Sequence, residues 1–169
     1  MDDRGRGGFV LPALIVVFAG LLAFLVVMLL QASGRNARDD RRQAVAAAAR
    51  SEALAVTTIS YRTANADLDR ILAGATGKLR SQFAEQQPHF ADILAPDKSV
   101  SKGEVLSVGV VSASTSAAQV VVAVDATVTT TPAGKQPESV LKHYRMVMRL
   151  VKAHGHWLVS DIAFAGEPQ

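Results

Sequence analysis

Histidines are the first side chains in this sequence whose type and spacing suggest chemistry. His154 and His156 straddle a predicted hairpin tip, and two histidines at that spacing can begin a metal site. The sequence forces no third ligand near them, so the pair is interpreted as part of a solvated turn. His143 is expected far down the neighbouring strand, and His89 on the surface.

Asp125 and Asp161, each on a predicted strand, are the candidates for acid–base chemistry. A carboxylate pair or an Asp–His pair in a pocket can act as general acid and base. Asp125 alternates out of phase with the apolar face of its strand, so we expect it to face solvent. Asp161 allows two readings: a buried carboxylate that marks a site, or, as we favour, a cross-sheet ion pair with Arg145 or Arg149.

The motif content argues against an enzyme. The sequence has no Cys, which excludes disulfides, thiolate metal sites and thiol catalysis. It also has no Gly-rich phosphate loop, nucleophile elbow or zinc signature. We therefore nominate no catalytic, cofactor-binding or metal-binding residue, expect no cofactor and expect a non-catalytic role.

The charge distribution bears on the partners. The chain has 18 Lys and Arg against 15 Asp and Glu, for a net charge of +3. Seven Arg and four Asp among residues 1–50 carry that whole excess, so residues 51–169 are neutral. A neutral domain in a chain with 5% aromatic residues argues against nucleic-acid binding, which requires a basic face.

The most hydrophobic segment is residues 9–30, which read FVLPALIVVFAGLLAFLVVMLL without a charge. At about 1.5 Å per residue, a helix of this length crosses a hydrocarbon core of roughly 30 Å. A cleaved signal has an apolar region of about 7–15 residues, shorter than this one, and Leu30-Gln31-Ala32 is a poor cleavage site. We predict an uncleaved transmembrane helix.

This segment divides the chain into five parts. They are a short cytoplasmic tail (1–8), the transmembrane helix (9–30), the juxtamembrane start of a helix (31–44), an extracytoplasmic α+β domain (45–165) and a tail (166–169). Charge alone leaves the orientation open, because Arg after the anchor favours a cytoplasmic domain whereas long domains translocate largely regardless of charge. The cluster from Arg35 to Arg42 either binds lipid headgroups or begins a solvated helix.

Helical patterns fill the first part of the domain. An Ala-rich run from Arg38 to about Tyr61 favours helix, and its expected buried seam is Ala47, Ser51, Leu54, Thr58 and Tyr61. A short helix follows from near Asn65 to Gly74, with Asp67 and Asp69 near its N-terminal dipole. A third helix, capped by Thr76, should break at Pro88, and its apolar side is Leu79, Phe83, Gln86, Phe90 and Ile93.

After Pro96 the hydrophobic period changes from 3.6 residues to 2, which indicates strands. Four are predicted, at residues 104–112, 118–130, 140–152 and 156–164. The expected inward faces are Leu106, Val108 and Val110 on the first strand, the even-numbered residues Val120 to Val128 on the second, and Tyr144, Met146, Met148 and Leu150 on the third. Helices followed by strands predict an α+β domain, with helices packed on a curved, cone-like, antiparallel four-stranded sheet.

Several short motifs resemble those of the Mce-associated membrane proteins, which are encoded beside the mammalian-cell-entry (Mce) lipid importers of actinobacteria. The motifs are Asp67-Leu68-Asp69-Arg70-Ile71-Leu72, Ala75-Thr76-Gly77, Gly109-Val110-Val111 and Gly155-His156-Trp157-Leu158-Val159-Ser160. The similarity covers nearly the whole chain. His154 departs from it, because members often carry Asp before that Gly.

This resemblance implies a fold and a role. The fold would be the cone of nuclear transport factor two and the SnoaL-like enzymes. The N-terminus would lie in the cytoplasm, with the domain on the extracytoplasmic side of the cell membrane. The protein would be an accessory subunit that assembles or stabilises an Mce lipid-import complex, with Mce transporter proteins and related accessory subunits as partners, in a homo- or hetero-oligomer.

Two alternatives stay open. The first is an enzyme or small-ligand binder that uses the cone cavity, which would need a polar group such as Asp161 or Tyr144. The second is a scaffold subunit of a secretion or conjugation machine, whose inner-membrane subunits have a similar plan.

Overall fold

The computed structural model describes residues 10–165, with side chains at Phe24, at Met28 and from residue 36 onward. The tails predicted at 1–8 and 166–169 lie outside this range. The chain divides into two units, residues 1–40 and 41–169. Helix α1, Val10–Thr57, begins in the first unit.

The predicted transmembrane segment stays a prediction. Within the part of the chain that the structure describes, no helix is long and apolar enough to cross a membrane. Most side chains of residues 9–30 lie outside the described residues, so that finding does not test the hydrophobic segment itself. The two side chains that are described there, Phe24 and Met28, are both exposed.

In the second unit, α1 buries a face different from the one predicted. Val45, Ala49, Glu52 and Ala53 are buried, whereas Ala47 and Ser51 are exposed. The helix also ends at Thr57, before the last two residues of the predicted seam. Because alanine stands on every side of this helix, the sequence offers little contrast between faces, and the helical phase was assigned wrongly.

The following helices agree with the sequence pattern. They are α2 (Ala64–Gly74), α3 (Gly77–Gln86) and α4 (Phe90–Leu94), with a 3₁₀ turn at Gln87–His89 between the last two. The turn contains Pro88, so the predicted break is confirmed. Thr76 is at the N-cap of α3 without a side-chain capping bond, and Ile93, predicted to be buried, is exposed.

The sheet has five antiparallel strands instead of the four predicted. Strands β2 (Val100–Ala113), β3 (Ala117–Thr130), β4 (Glu138–Ala153) and β5 (His156–Phe164) correspond to the predicted ones, and β1 (Ile59–Ser60) adds an edge next to β2. A strand of two residues is too short to show alternation, and the helical prediction had absorbed it.

A bulge in β2 reverses the expected side of one residue. The pairing of β2 with β3 shifts register between Val105 and Ser107, so Leu106 is an extra residue. Leu106 is 53% exposed, whereas Val108 and Val110 pack against the core as predicted. The simple period-2 pattern across this strand was therefore wrong at Leu106.

The core lies between one face of the curled sheet and the helices. Its sheet side consists of the predicted alternating residues Val120, Val122, Val124, Met146, Met148 and Leu150, all fully buried. Its helix side includes Val45, Ala49 and Ala53 of α1 and Leu79 of α3. The α+β class and the antiparallel order are thus confirmed, and the opposite face of the sheet is left to solvent.

Candidate functional site

A cavity opens at the end of α1, which we call the cone cavity. It has a volume of about 250 Å³, and its lining is Val56, Thr57, Leu79, Gln82, Phe83, Ser101, Tyr144, Ile162 and Phe164. The Tyr144 ring lies 5.7 Å from that of Phe164, between ring centroids. Tyr144 therefore lies in a mainly apolar cavity, as the prediction of a ligand-binding cone cavity requires.

Asp161 does not line that cavity. Its Oδ2 accepts a hydrogen bond from Arg149 Nη1 at 3.4 Å, and its Oδ1 lies 3.6 Å from Lys78 Nζ. The predicted ion pair with Arg149 is thus confirmed. A shift in the pairing of β4 and β5 beside Arg149 accounts for this placement, since it moves Asp161 out of phase with the buried Val159.

Asp125 and His143 face each other as neighbours on β3 and β4. Their Oδ1 and Nδ1 atoms lie 2.6 Å apart on the exposed face of the sheet. The sequence predicted the solvent face for Asp125 but missed this partner, because the cross-strand register is not readable from alternation alone. No other acidic or histidine group joins them as a metal set in residues 10–165.

The two histidines of the predicted hairpin tip are where the sequence put them. β4 ends at Ala153 and β5 begins at His156, with His154 and Gly155 both at positive φ. That two-residue turn matches the right-handed twist of paired strands. Both histidines are exposed. In the described part of the chain, no group of three or more possible metal ligands includes them.

Glu52 carries a buried carboxylate that we did not predict from the sequence. Glu52 is only 2% exposed, and burial raises its pKa to about 7. Its Oε1 has no hydrogen-bond partner among the described residues. The sequence held one signal for it: Glu52 stands three and seven residues after the buried Ala49 and Val45, on the same face of α1.

Glu52 lies on the wall of a second cavity, which we call the Glu52 groove. The groove has a volume of about 390 Å³ and is lined by Ala48, Ser51, Glu52 and Ala55 of α1, Arg70, Ala73 and Gly74 of α2, and His156, Trp157 and Leu158 of β5. A Cβ atom at Gly74 would overlap Glu52 Oε2. The missing side chain of Gly74 therefore makes the room that the carboxylate occupies.

The outer face of the sheet carries a row of apolar side chains, which we call the outer row. Val121 of β3 pairs with Val147 of β4, and Val147 pairs with Ala163 of β5. Gly109 of β2 lies opposite Val121 and adds no side chain. Val121 is 39% exposed and Ala163 is exposed. The row runs between two polar pairs, Asp125–His143 on one side and Arg149–Asp161 on the other.

Comparison with known proteins begins with the sequence. The model of the family described as "Uncharacterized protein Rv1363c/MT1408-like" matches residues 9–166. The chain belongs to this Rv1363c/MT1408-like family. The description states no function and does not mention Mce transport, so the family is shown whereas the Mce association is not.

One relative of this Rv1363c/MT1408-like chain is the uncharacterized protein Rv1363c of Mycobacterium tuberculosis (strain ATCC 25618 / H37Rv). The two are 25% identical over 154 residues, which make up 91% of this chain and 58% of the relative. The chain thus spans less than two thirds of the length of the curated relative it matches.

Solved structures share the fold of this Rv1363c/MT1408-like chain. An IcmL-like type IV secretion system protein from Legionella pneumophila has a TM-score of 0.56 at 12% identity, with 76% of this chain and 96% of that chain covered. A protein named as an aromatic ring hydroxylase, from Novosphingobium aromaticivorans, has a TM-score of 0.55 at 15% identity, with coverages of 76% and 91%.

A third neighbour bears the expected fold name. An "Ntf2 like protein involved in plasmid conjugation" has a TM-score of 0.50 at 15% identity, and the match covers 73% of this chain and 48% of that one. At such identities these likenesses show the fold alone. One fold serves secretion, conjugation and hydroxylase proteins, so function has to be argued from the sites on it.

Proposed function

We propose that this protein is a non-catalytic scaffold or accessory subunit of a membrane protein complex and that it works through protein–protein contacts. The observation that carries the proposal is the outer row, an exposed apolar strip on the sheet face opposite the helices. An apolar centre with a polar rim is the usual anatomy of a protein interface.

The polar groups beside the outer row support this role over catalysis. Asp161 is held by Arg149 of the neighbouring strand, and the Asp125–His143 pair lies on the exposed sheet face and lines neither the cone cavity nor the Glu52 groove. A carboxylate in such a cross-strand pair helps to fix the pairing of the strands and makes the edge of the surface polar. A free general base would need access to a substrate proton instead.

We propose that the protein is anchored in the cell membrane. Residues 9–30 would form a single transmembrane helix, with the N-terminus in the cytoplasm and the α+β domain outside. An anchored domain with an exposed apolar strip would meet its partners at the membrane surface, where both are confined to two dimensions.

Two classes of complex fit, and each has its own support. The scaffold of a secretion or conjugation machine is favoured by structural neighbours that carry those names. An Mce-type lipid importer is favoured by the motifs around Asp67–Leu72 and Gly155–Ser160. We favour the secretion-type scaffold, because the structural likeness extends over most of the domain whereas the motifs are short.

Copurification tests the proposal. The full chain would carry a C-terminal tag in its native host, be crosslinked in cells and be extracted in mild detergent before its partners are identified. Secretion components would support the favoured class, and Mce proteins with their permease and ATPase would support the other. Recovery of the protein alone, after crosslinking that captures a known complex in the same cells, would contradict the proposal.

A second candidate function rests on the cone cavity. A pocket of about 250 Å³ with Tyr144 in an apolar lining suits a small hydrophobic ligand. This reading predicts that Tyr144→Phe changes binding of an apolar probe such as 1-anilinonaphthalene-8-sulfonate, while copurified partners stay unchanged. A Tyr144→Phe protein with unchanged probe binding would count against it.

A further inference from the structure

We infer that the Glu52 groove is a binding site for a small organic cation that bears N–H donors, such as a primary ammonium group on a short apolar stem. This site lies on the helix side of the domain and is independent of the outer row. The inference begins with the contrast between two buried carboxylates.

Asp67 is the other buried carboxylate, and its neighbours satisfy it fully. Its Oδ2 accepts hydrogen bonds from Ser60 N and Thr63 Oγ1, both at 2.8 Å, and its Oδ1 lies 3.0 Å from Arg70 Nη1. Glu52 has no comparable partner for Oε1 in the described residues. A buried polar atom without a partner lowers the stability of the folded state, so the unpartnered Oε1 marks Glu52 as a candidate ligand contact.

A ligand that occupies the Glu52 groove can supply the missing donor. The Glu52 groove supplies a space of about 390 Å³ beside the carboxylate, which is in the range of small-ligand pockets. Its lining includes the small residues Ala48, Ala55, Ala73 and Gly74, which leave room for an apolar stem. A ligand that donates N–H to the Glu52 carboxylate from the groove would supply a hydrogen-bond partner to this group.

The charges around the groove decide which donor fits. Arg70 lines it from α2, but its guanidinium is already bound to Asp67 Oδ1 and to Thr58 O. His156 lines it from β5 and is exposed. α1 contributes Glu52 itself and the neutral Ser51. A cation would neutralise the buried carboxylate, and Trp157 in the lining adds an aromatic ring of the type that attracts cations.

Binding should be linked to the ionisation of Glu52. Burial raises the pKa of Glu52 to about 7, so the carboxyl group is largely protonated at pH 6 and largely ionised at pH 8. The cation binds the ionised form and remains charged across this range. Its affinity should therefore rise about tenfold from pH 6 to pH 8 and then level off.

The test is calorimetric titration of the full chain in detergent micelles with n-butylammonium at pH 6 and pH 8. We expect saturable binding that is about tenfold tighter at pH 8, and at least tenfold weaker in Glu52→Gln. Tetramethylammonium, with the same charge but no N–H donor, should bind at least tenfold more weakly. The control Glu85→Gln, which changes an exposed carboxylate on α3, should bind as the native chain does.

A second measurement needs no variant of the site. The chain has five glutamates, so ¹³C labelling of their carboxyl carbons gives five signals whose titration can be followed by NMR. Saturating n-butylammonium should lower the titration midpoint of the one signal near pH 7 and leave the others unchanged. No saturable binding, binding independent of pH, or an unchanged midpoint would each overturn the inference.

The source of the cation is separable in the same experiment. Nα-acetyl-lysine methylamide presents the same ammonium attached to a peptide backbone. Binding equal to that of n-butylammonium would support the site with a lysine of a partner protein as its occupant. If n-butylammonium binds and the lysine derivative does not, the ligand of the site is a free small amine.

Discussion

Asp67 and Glu52 show how two buried carboxylates take opposite roles in a single domain. Asp67 is 5% exposed and joins β1 to α2 through Ser60, Thr63 and Arg70. Glu52 is at least as deeply buried, but its Oε1 has no hydrogen-bond partner among the described residues, and its side chain lines a groove. The first carboxylate contributes to stability, whereas the second reduces it when ionised.

Replacement of Glu52 should therefore change the pH dependence of stability. Its pKa is raised from 4.5 to about 7 by burial, so the folded state binds the proton more tightly than the unfolded chain. The contribution of Glu52 to stability is full below pH 4.5 and falls by roughly 3 kcal/mol as the pH rises to 7. We expect the gap in Tm between Glu52→Gln and the native chain to widen in favour of the variant from pH 5 to pH 8. Thermal melts in detergent at both pH values measure it, and a gap independent of pH would contradict the assignment.

Asp67→Ala should destabilise the domain by about 2–3 kcal/mol, because it leaves Ser60 N and the Arg70 guanidinium without their acceptor. Asp69→Ala, two positions along the same helix at an exposed site, serves as the control and should be near neutral. Thermal melts at pH 7 compare the two. Equal losses in both variants would show that the Asp67 network is not specific.

At the level of helices and strands, the stability of the domain depends on the contact between the end of α1 and strand β2. Ser101 Oγ donates to Thr57 O at 2.7 Å, and Gly103 N donates to Thr58 Oγ1 at 3.1 Å. A Cβ at Gly103 would overlap Thr57 Oγ1. The end of the helix is thus fastened to the strand at a point where glycine alone fits.

Gly103→Ala should consequently cost about 1–3 kcal/mol of stability, since the helix end must move to admit the methyl group. Gly109→Ala lies in the same strand, where the added Cβ would come no closer than 3.9 Å to Val121 O. This control should stay within about 0.5 kcal/mol of the native chain. Chemical denaturation of both variants gives the comparison, and a neutral Gly103→Ala would refute the close packing.

Some elements of the fold could be predicted from the sequence, and others could not. The inward faces of β3 and β4 were predictable, because uninterrupted alternation of valine and methionine against polar residues assigns each face. The break at Pro88 was predictable for a covalent reason. The phase of α1 was not, since alanine is small enough for either side, and this error concealed Glu52.

Bulges account for most of the remaining misses. One extra residue at Leu106 and another beside Asp161 each shift the inward–outward alternation of side chains along their strand. No local sequence pattern predicts either bulge. The candidate site was therefore only partly predictable. The Arg149–Asp161 pair was inferred from strand proximity, whereas the Glu52 groove requires three elements to meet in space.

The orientation that we propose for the whole molecule, with the α+β domain outside the cell membrane, can be tested directly. The chain has no Cys, so a single introduced thiol reports its own side of the membrane. Thr115 lies exposed in the turn between β2 and β3, next to Ser114, whose Oγ holds the turn together. We expect Thr115→Cys to react with a membrane-impermeant maleimide on intact cells, and Gly8→Cys in the N-terminal tail to react only after lysis. The reverse pattern would contradict the proposed topology.

The proposed function of the whole molecule depends on the outer row as its contact surface, and substitutions in that row test it. Val121→Asp places a charge at the centre of the row, whereas Val140→Asp places one on a residue that is 48% exposed and that alternation assigns to the opposite face. Both changes are valine to aspartate on a strand, and thermal melts would verify that both proteins fold.

The most direct measurement is the amount of partner protein recovered with the tagged full chain carrying each substitution. The scaffold account predicts that Val121→Asp lowers recovery at least tenfold and that Val140→Asp leaves it at the native level. If the folded Val121→Asp protein recovered its partners as well as the native chain does, the outer row would not be the contact surface and the central claim would be contradicted.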